Sequence, residues 1–200
     1  MSHERIGDVL RAQGDLSGAL SPYRTGREIR ERLGGQDPGN ALWQRDLSVS
    51  HDRIGDVLQA QGDLSGALSA YRTGLEIRER LADQDPGNAG WQRGLSVSHN
   101  KSGDVLRAQG DLSGALSAYW AALEIRERLA GQDPGNAEWQ RDLAVSYGKL
   151  ASTSQAQGDV ATANDYWQRC HGTLRRMKQS GMYLDPPLAQ LLEQLDRRFD

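Results

Sequence analysis

A 48-residue text recurs through this chain at constant spacing. It runs from His3 to Ser50, from His51 to Ser98 and from His99 to Ser146, and a decayed fourth copy starts at Tyr147. The first two copies agree at about 40 of 48 positions, and the next pair at slightly fewer. Self-similarity at a fixed period implies one supersecondary unit per period, which completes its core by stacking on its neighbours. One continuous repeat body is therefore expected from the 200 residues, rather than one or two ordinary globular domains.

Each unit reads as two helices. Asp37-Pro38-Gly39 ends the preceding helix and Asn40 caps the next. Trp43, Leu47, Ile54 and Leu58 then follow at steps of four, seven and four, which is one helical face. Gly62 stops that helix and Asp63 caps a second, whose apolar residues are Leu64, Ala67, Leu68, Tyr71, Leu75, Ile77 and Leu81. This second helix is expected to end near Asp83. Helices of about 20 residues, roughly 30 Å long, joined by so short a turn must form an antiparallel hairpin. Gly55, Ala67 and Gly74 are small where two helices approach closely.

With a large residue, Ile-Gly and Leu in the first helix, then Ala-x3-aromatic-x2-small in the second, the text resembles the tetratricopeptide repeat. The matching residues are His51, Ile54, Gly55, Leu58, Ala67, Tyr71 and Gly74, and in the next copy His99, Ser102, Gly103, Leu106, Ala115, Tyr119 and Ala122. The unit is longer than the family's usual 34 residues, and in this it is similar to the extended repeats of bacterial multidomain signalling proteins and of kinesin light chains. The resemblance implies an all-α, right-handed α-solenoid of antiparallel helix hairpins with a C-terminal capping helix. It divides a single repeat domain, 1–200, into a truncated repeat 1–39, repeats 40–87, 88–135 and 136–181, and a cap over 185–199.

The terminal copies differ from the inner ones. Arg27 replaces Leu75 and Leu123, and is expected to face water because its partner half-helix is missing from the first copy. Pro22 replaces Ala70 and Ala118 inside a helix, where a kink is expected. In the fourth copy Ala151 replaces the close-approach glycine, while Ala163 and Trp167 keep the small-then-aromatic pair. Asp185-Pro186-Pro187 opens the cap, with Leu188, Leu191, Leu192, Leu195 and Phe199 on one face.

No catalytic constellation stands out from the repeat. His3, His51 and His99 are one residue repeated, too far apart to share a metal, and read as partly buried histidines hydrogen-bonded between helices. His171 and Cys170 have no second ligand pair. Gly62-Asp63-Leu64-Ser65-Gly66 is a helix stop and cap rather than a nucleophile elbow. No phosphate-binding loop is present. The sequence thus points to no enzyme, no cofactor and no metal. A net charge of −3 argues against nucleic acid as a partner. No apolar run approaches the ~20 residues that span a bilayer, so no membrane is expected. A single cysteine and the lack of a leader pattern point to a cytoplasmic chain.

What remains is a binding surface. In the tetratricopeptide fold the first helices line a concave groove that takes peptides or helices. Carried over by position, its residues here are Glu4, Asp8 and Arg11, then Asp52, Asp56 and Gln59, then Asn100, Asp104 and Arg107. Asp8, Asp56 and Asp104 form an acidic row, which suits a protein or peptide partner presenting lysine or arginine. A non-catalytic interaction scaffold, related to a larger bacterial signalling protein, is the expected function. The alternative is a solenoid that self-associates, its Ile6, Leu10, Ile29 and Leu33 forming a homodimer through two N-terminal ends.

Overall fold

The computed structural model describes residues 3–199, and among them every element is an α-helix. One compact unit extends to Gln109 and a second begins at Gly110. The first contains α1 (His3–Ala12), α2 (Leu16–Gln36), α3 (Ala41–Ala60), α4 (Leu64–Gln84) and α5 (Ala89–Ala108). The second contains α6 (Leu112–Gln132), α7 (Ala137–Gln157), α8 (Val160–Gln179) and α9 (Pro186–Phe199). Within each unit, helices adjacent in sequence pack on one another.

The expected punctuation is present. Asn40 and Asn88 accept hydrogen bonds from the backbone N–H groups of Trp43 and Trp91, closing the first turns of α3 and α5. Asp15 and Asp63 do the same for Gly18 and Gly66 at the start of α2 and α4. Between α3 and α4 the chain reverses through Gly62, whose φ of +83° is a left-handed conformation that glycine adopts without strain. The second helix closes one residue later than expected, at Gln84.

The core of the first unit is built where a first-helix glycine meets a second-helix tyrosine. A Cβ on Gly55 would stand 2.5 Å from Cε1 of Tyr71, and one on Gly7 equally close to Cε1 of Tyr23. Both rings are fully buried, Tyr23 against Ala19, Ile54 and Val57, and Tyr71 against Ala67, Leu68 and Val105. Only glycine lets the two helices come so near. In the second unit Ala151 and Trp167 take these places, with Leu150, Cys170 and Leu174 fully buried nearby in the chain.

Two expectations need correction, those on Arg27 and on the repeated histidines. Arg27 does not stand free in water: its side chain is 31% exposed, lies 3.4 Å from Glu31 and sits beside His51. Pro22 lies inside α2, which runs as one helix from Leu16 to Gln36. The three repeated histidines have three environments, since His3 is exposed, His99 half-buried and His51 buried. No hydrogen bond reaches the His51 ring among the described residues. One cause is in the text itself: Arg27 stands beside His51, and one period on its place is taken by Leu75.

At the other end, Leu188, Leu192 and Leu195 of α9 are buried and α9 packs on α8. Asp196 accepts hydrogen bonds from His171 at 2.7 Å and Arg175 at 3.0 Å, and Phe199 lies over the His171 ring. Asp185 caps α9 through Leu188 N and pairs with Arg141 of α7 at 2.8 Å.

Candidate protein-interaction surface

The residues expected to line a groove lie on α1, α3 and α5, and most are already engaged. Tyr71 donates its hydroxyl to Asp56 at 2.6 Å, and Lys101 of the next repeat bonds the same carboxylate and lies 5.1 Å from the centre of the Tyr71 ring. One period earlier, Tyr23 donates to Asp8 at 2.7 Å, and Arg53 bonds Asp8 and lies over the Tyr23 ring. The Arg53 hydrogen bond holds the Asp8 carboxyl below the usual carboxylate range, while burial and the facing carboxylate push the Tyr71 hydroxyl well above that of free tyrosine. In the second unit Lys149 takes the corresponding place over Tyr119, at 5.4 Å.

A second set of ties lies deeper. Asp52 is buried and pairs with the buried Arg78 at 2.7 Å; Arg78 also reaches Ser98 of the next repeat. Glu4 pairs with Arg30 at 2.8 Å and with Arg53 at 3.8 Å. Gln59 accepts from Tyr71 at 3.1 Å, and Arg11, which is exposed, lies 3.7 Å from Asp56. Asn100 is buried and Asp104 half-buried, both with partners, and Arg107 is exposed. Asp8 and Asp56 of the acidic row are therefore compensated by cations of this chain. The sequence signal was present: an acid at 8 and 56 is followed 45 residues later by a base at 53 and 101, always from the next repeat.

Counting back along α3 from Asp56 in steps of four, three and four gives Asp52, Val49 and Arg45, all on one helical stripe. The same steps on α5 give Asn100, Val97 and Arg93. These extra turns, which the sequence reading left out, line a cavity of about 480 Å³ together with Trp91 and Arg78. Arg45 is exposed there, and Trp91 is half-buried. No acidic side chain lines it.

Among the described residues no group of three or more His, Cys, Asp or Glu side chains could hold a metal ion, and no helix is long and apolar enough to cross a membrane. Burial pushes the Cys170 thiol up to about 12, which leaves it unreactive at neutral pH.

A family model described as "Tetratricopeptide repeat" matches residues 52–86 and 103–134. No curated protein matches the sequence. Among solved structures, BtubC (BKLC) from P. vanneervenii superposes with a TM-score of 0.69 at 16% identity, covering 92% of this chain and 65% of that one. The apo form of RapI gives 0.68 at 12% identity, covering 96% and 65%. This chain thus spans just under two thirds of the length of each. A Podosopora anserina protein of kinesin-light-chain type, with nearly identical TPR-like repeats, gives 0.65 at 14% identity and covers 98% of this chain and 92% of its own. At these identities the likeness is one of fold: stacked helical hairpins. Repeats of this kind generally act as non-catalytic scaffolds that mediate protein–protein interactions. Residues 52–86 and 103–134 thus match the tetratricopeptide repeat, and the chain as a whole shares the helical-hairpin fold of TPR-like repeat proteins.

Proposed function

We propose that the chain is a non-catalytic scaffold that docks a peptide or helix of a partner protein along the first-helix face of residues 3–109. The observation that carries this is the cavity flanked by the Arg45–Val49 and Arg93–Val97 stripes, where apolar walls and guanidinium groups meet at the surface. The unit length supports a second part of the reading, that the repeats serve a larger signalling protein of bacterial type. A strongly basic partner fits this face less well than the sequence suggested, because Asp8, Asp52 and Asp56 already hold Arg53, Arg78 and Lys101. Photo-crosslinkers at Val49 and Val97 should capture a partner peptide in cell extract, while one at Ser69 on the outer side of α4 should not. Capture through Ser69 alone would move the site off the first-helix face.

Ile6 and Val9 on α1 are 39% and 55% exposed, which favours self-association through α1 as a second reading. Light scattering on the parent and an Ile6→Ser/Val9→Ser variant tests it. A dimer abolished by the double change supports pairing; a monomer at high micromolar concentration removes it.

A further inference from the structure

Two glycines distinguish the cavity wall on α5 from its counterparts. Gly90 stands where the neighbouring repeats have Leu42 and Glu138, and Gly94 where they have Asp46 and Asp142. Glycine is the poorest helix former after proline, so two within one turn and a half work against α5. Their effect is to open space and to remove carboxylates. A Cβ on Gly94 would lie 3.6 Å from both Cδ and Nε of Arg78, so an aspartate there would rest on that guanidinium. One period on, the equivalent arginine of the third repeat, Arg126, bonds the backbone carbonyl of Asp142 at 2.9 Å.

Arg78 is buried, with its two terminal nitrogens held by Ser98 and Asp52, and its Nε edge faces the opening that Gly94 leaves. Arg45 adds an exposed positive charge at the rim, and the opening turn of α5 adds the positive end of a helix. Val49 and Val97 form the apolar walls.

We infer that this notch takes an aspartate or glutamate side chain of the docked peptide, flanked by a small aliphatic residue against Val49 and Val97. The carboxylate of the partner stands in for the one that Gly94 removes. This deepens the proposed docking function and rests on it.

The test uses the full chain, labelled with ¹⁵N, and three 12-residue peptides in which valine alternates with glutamate, glutamine or lysine. The glutamate peptide should shift the amides of Gly90 and Gly94 and the indole N–H of Trp91. The glutamine peptide should bind roughly three- to tenfold more weakly, the scale of a partly screened charge pair. Gly94→Asp should abolish the glutamate preference, Gly94→Ala should keep it, and Arg45→Gln should reduce it, with circular dichroism confirming that each variant folds. Equal binding of the glutamate and glutamine peptides, with Val49 and Val97 still responding, would overturn the carboxylate notch and leave peptide docking intact. A preference for the lysine peptide would overturn the notch as well. No response at these positions to any peptide would overturn both.

Discussion

The hydroxyl of Tyr71 and the carboxylate of Asp56, 2.6 Å apart, join the two helices of one repeat, and Lys101 ties that pair to the next. Asp56 is therefore a structural residue as much as a surface one. Asp56→Asn should cost about 1–2 kcal/mol, because Lys101, only 26% exposed, loses its counter-ion. Tyr71→Phe should cost about 1 kcal/mol through the lost hydrogen bond. The double variant should cost less than the sum, since the two changes share one bond. Urea titrations check this, and a wild-type midpoint for Asp56→Asn would show the ties to be dispensable.

Ser102 shows the opposite situation. It occupies the position of Ile54 and Leu150, is 6% exposed, and its hydroxyl has no hydrogen-bond partner. Ser102→Val adds apolar surface and removes an unsatisfied donor, and should stabilise by about 1–2 kcal/mol. In a chain of this size that is a rise of roughly 2–8 °C in melting temperature. A fall would mean that the hydroxyl is satisfied by water or that the site is too tight for two methyl groups.

The helices, caps and turns were legible because they depend on residues within a few positions of one another: Asn40 with Trp43, Asp63 with Gly66, Gly62 alone. The need for a small residue at Gly55 was legible too, although the ring it meets, Tyr71, was seen only in the structure. The interaction face was read less well. Asp8 and Asp56 were placed by the resemblance, but the cations that engage them come from the following repeat. A helical-face argument confined to one unit has no access to such partners. The cavity was missed for a different reason: the family's shorter unit has no counterpart to the turns that carry Arg45 and Arg93.

Burial lowers the pKa of both His51 and His99 below the ordinary histidine value, and Arg27 adds to the effect at His51, while Glu31 and Asp52 oppose it. The unfolded chain then binds protons more readily than the folded one as pH falls through about 6.5. The stability in question is fully present above that pH and declines below it, until the folded-state pKa values are reached. Melting temperature should fall between pH 7 and pH 5.5, and His51→Gln/His99→Gln should flatten that slope. The lowered Asp8 acts separately, its contribution being lost only as pH drops below the ordinary aspartate value of 3.8. An unchanged slope in the double variant would place the acid sensitivity elsewhere.

The buried pair of Arg78 and Asp52 allows the sharpest test of how the repeats are held together. Both side chains are about 10% exposed, and Asp52 Oδ1 has no hydrogen-bond partner, so the carboxylate depends on Arg78 for compensation. Removing one partner should be severe: Arg78→Leu leaves an isolated buried carboxylate and should cost about 3–5 kcal/mol. Removing both should be much milder. The fourth repeat has made that exchange, with the fully buried Leu174 in place of the arginine and Gly148 in place of the acid. Arg78→Leu/Asp52→Ala should therefore recover most of the loss, a coupling that denaturant unfolding of the two single variants and the double variant would measure. Additive costs would mean that Arg78 stabilises mainly through Ser98 and the packing of its own chain, and that the ion pair is incidental.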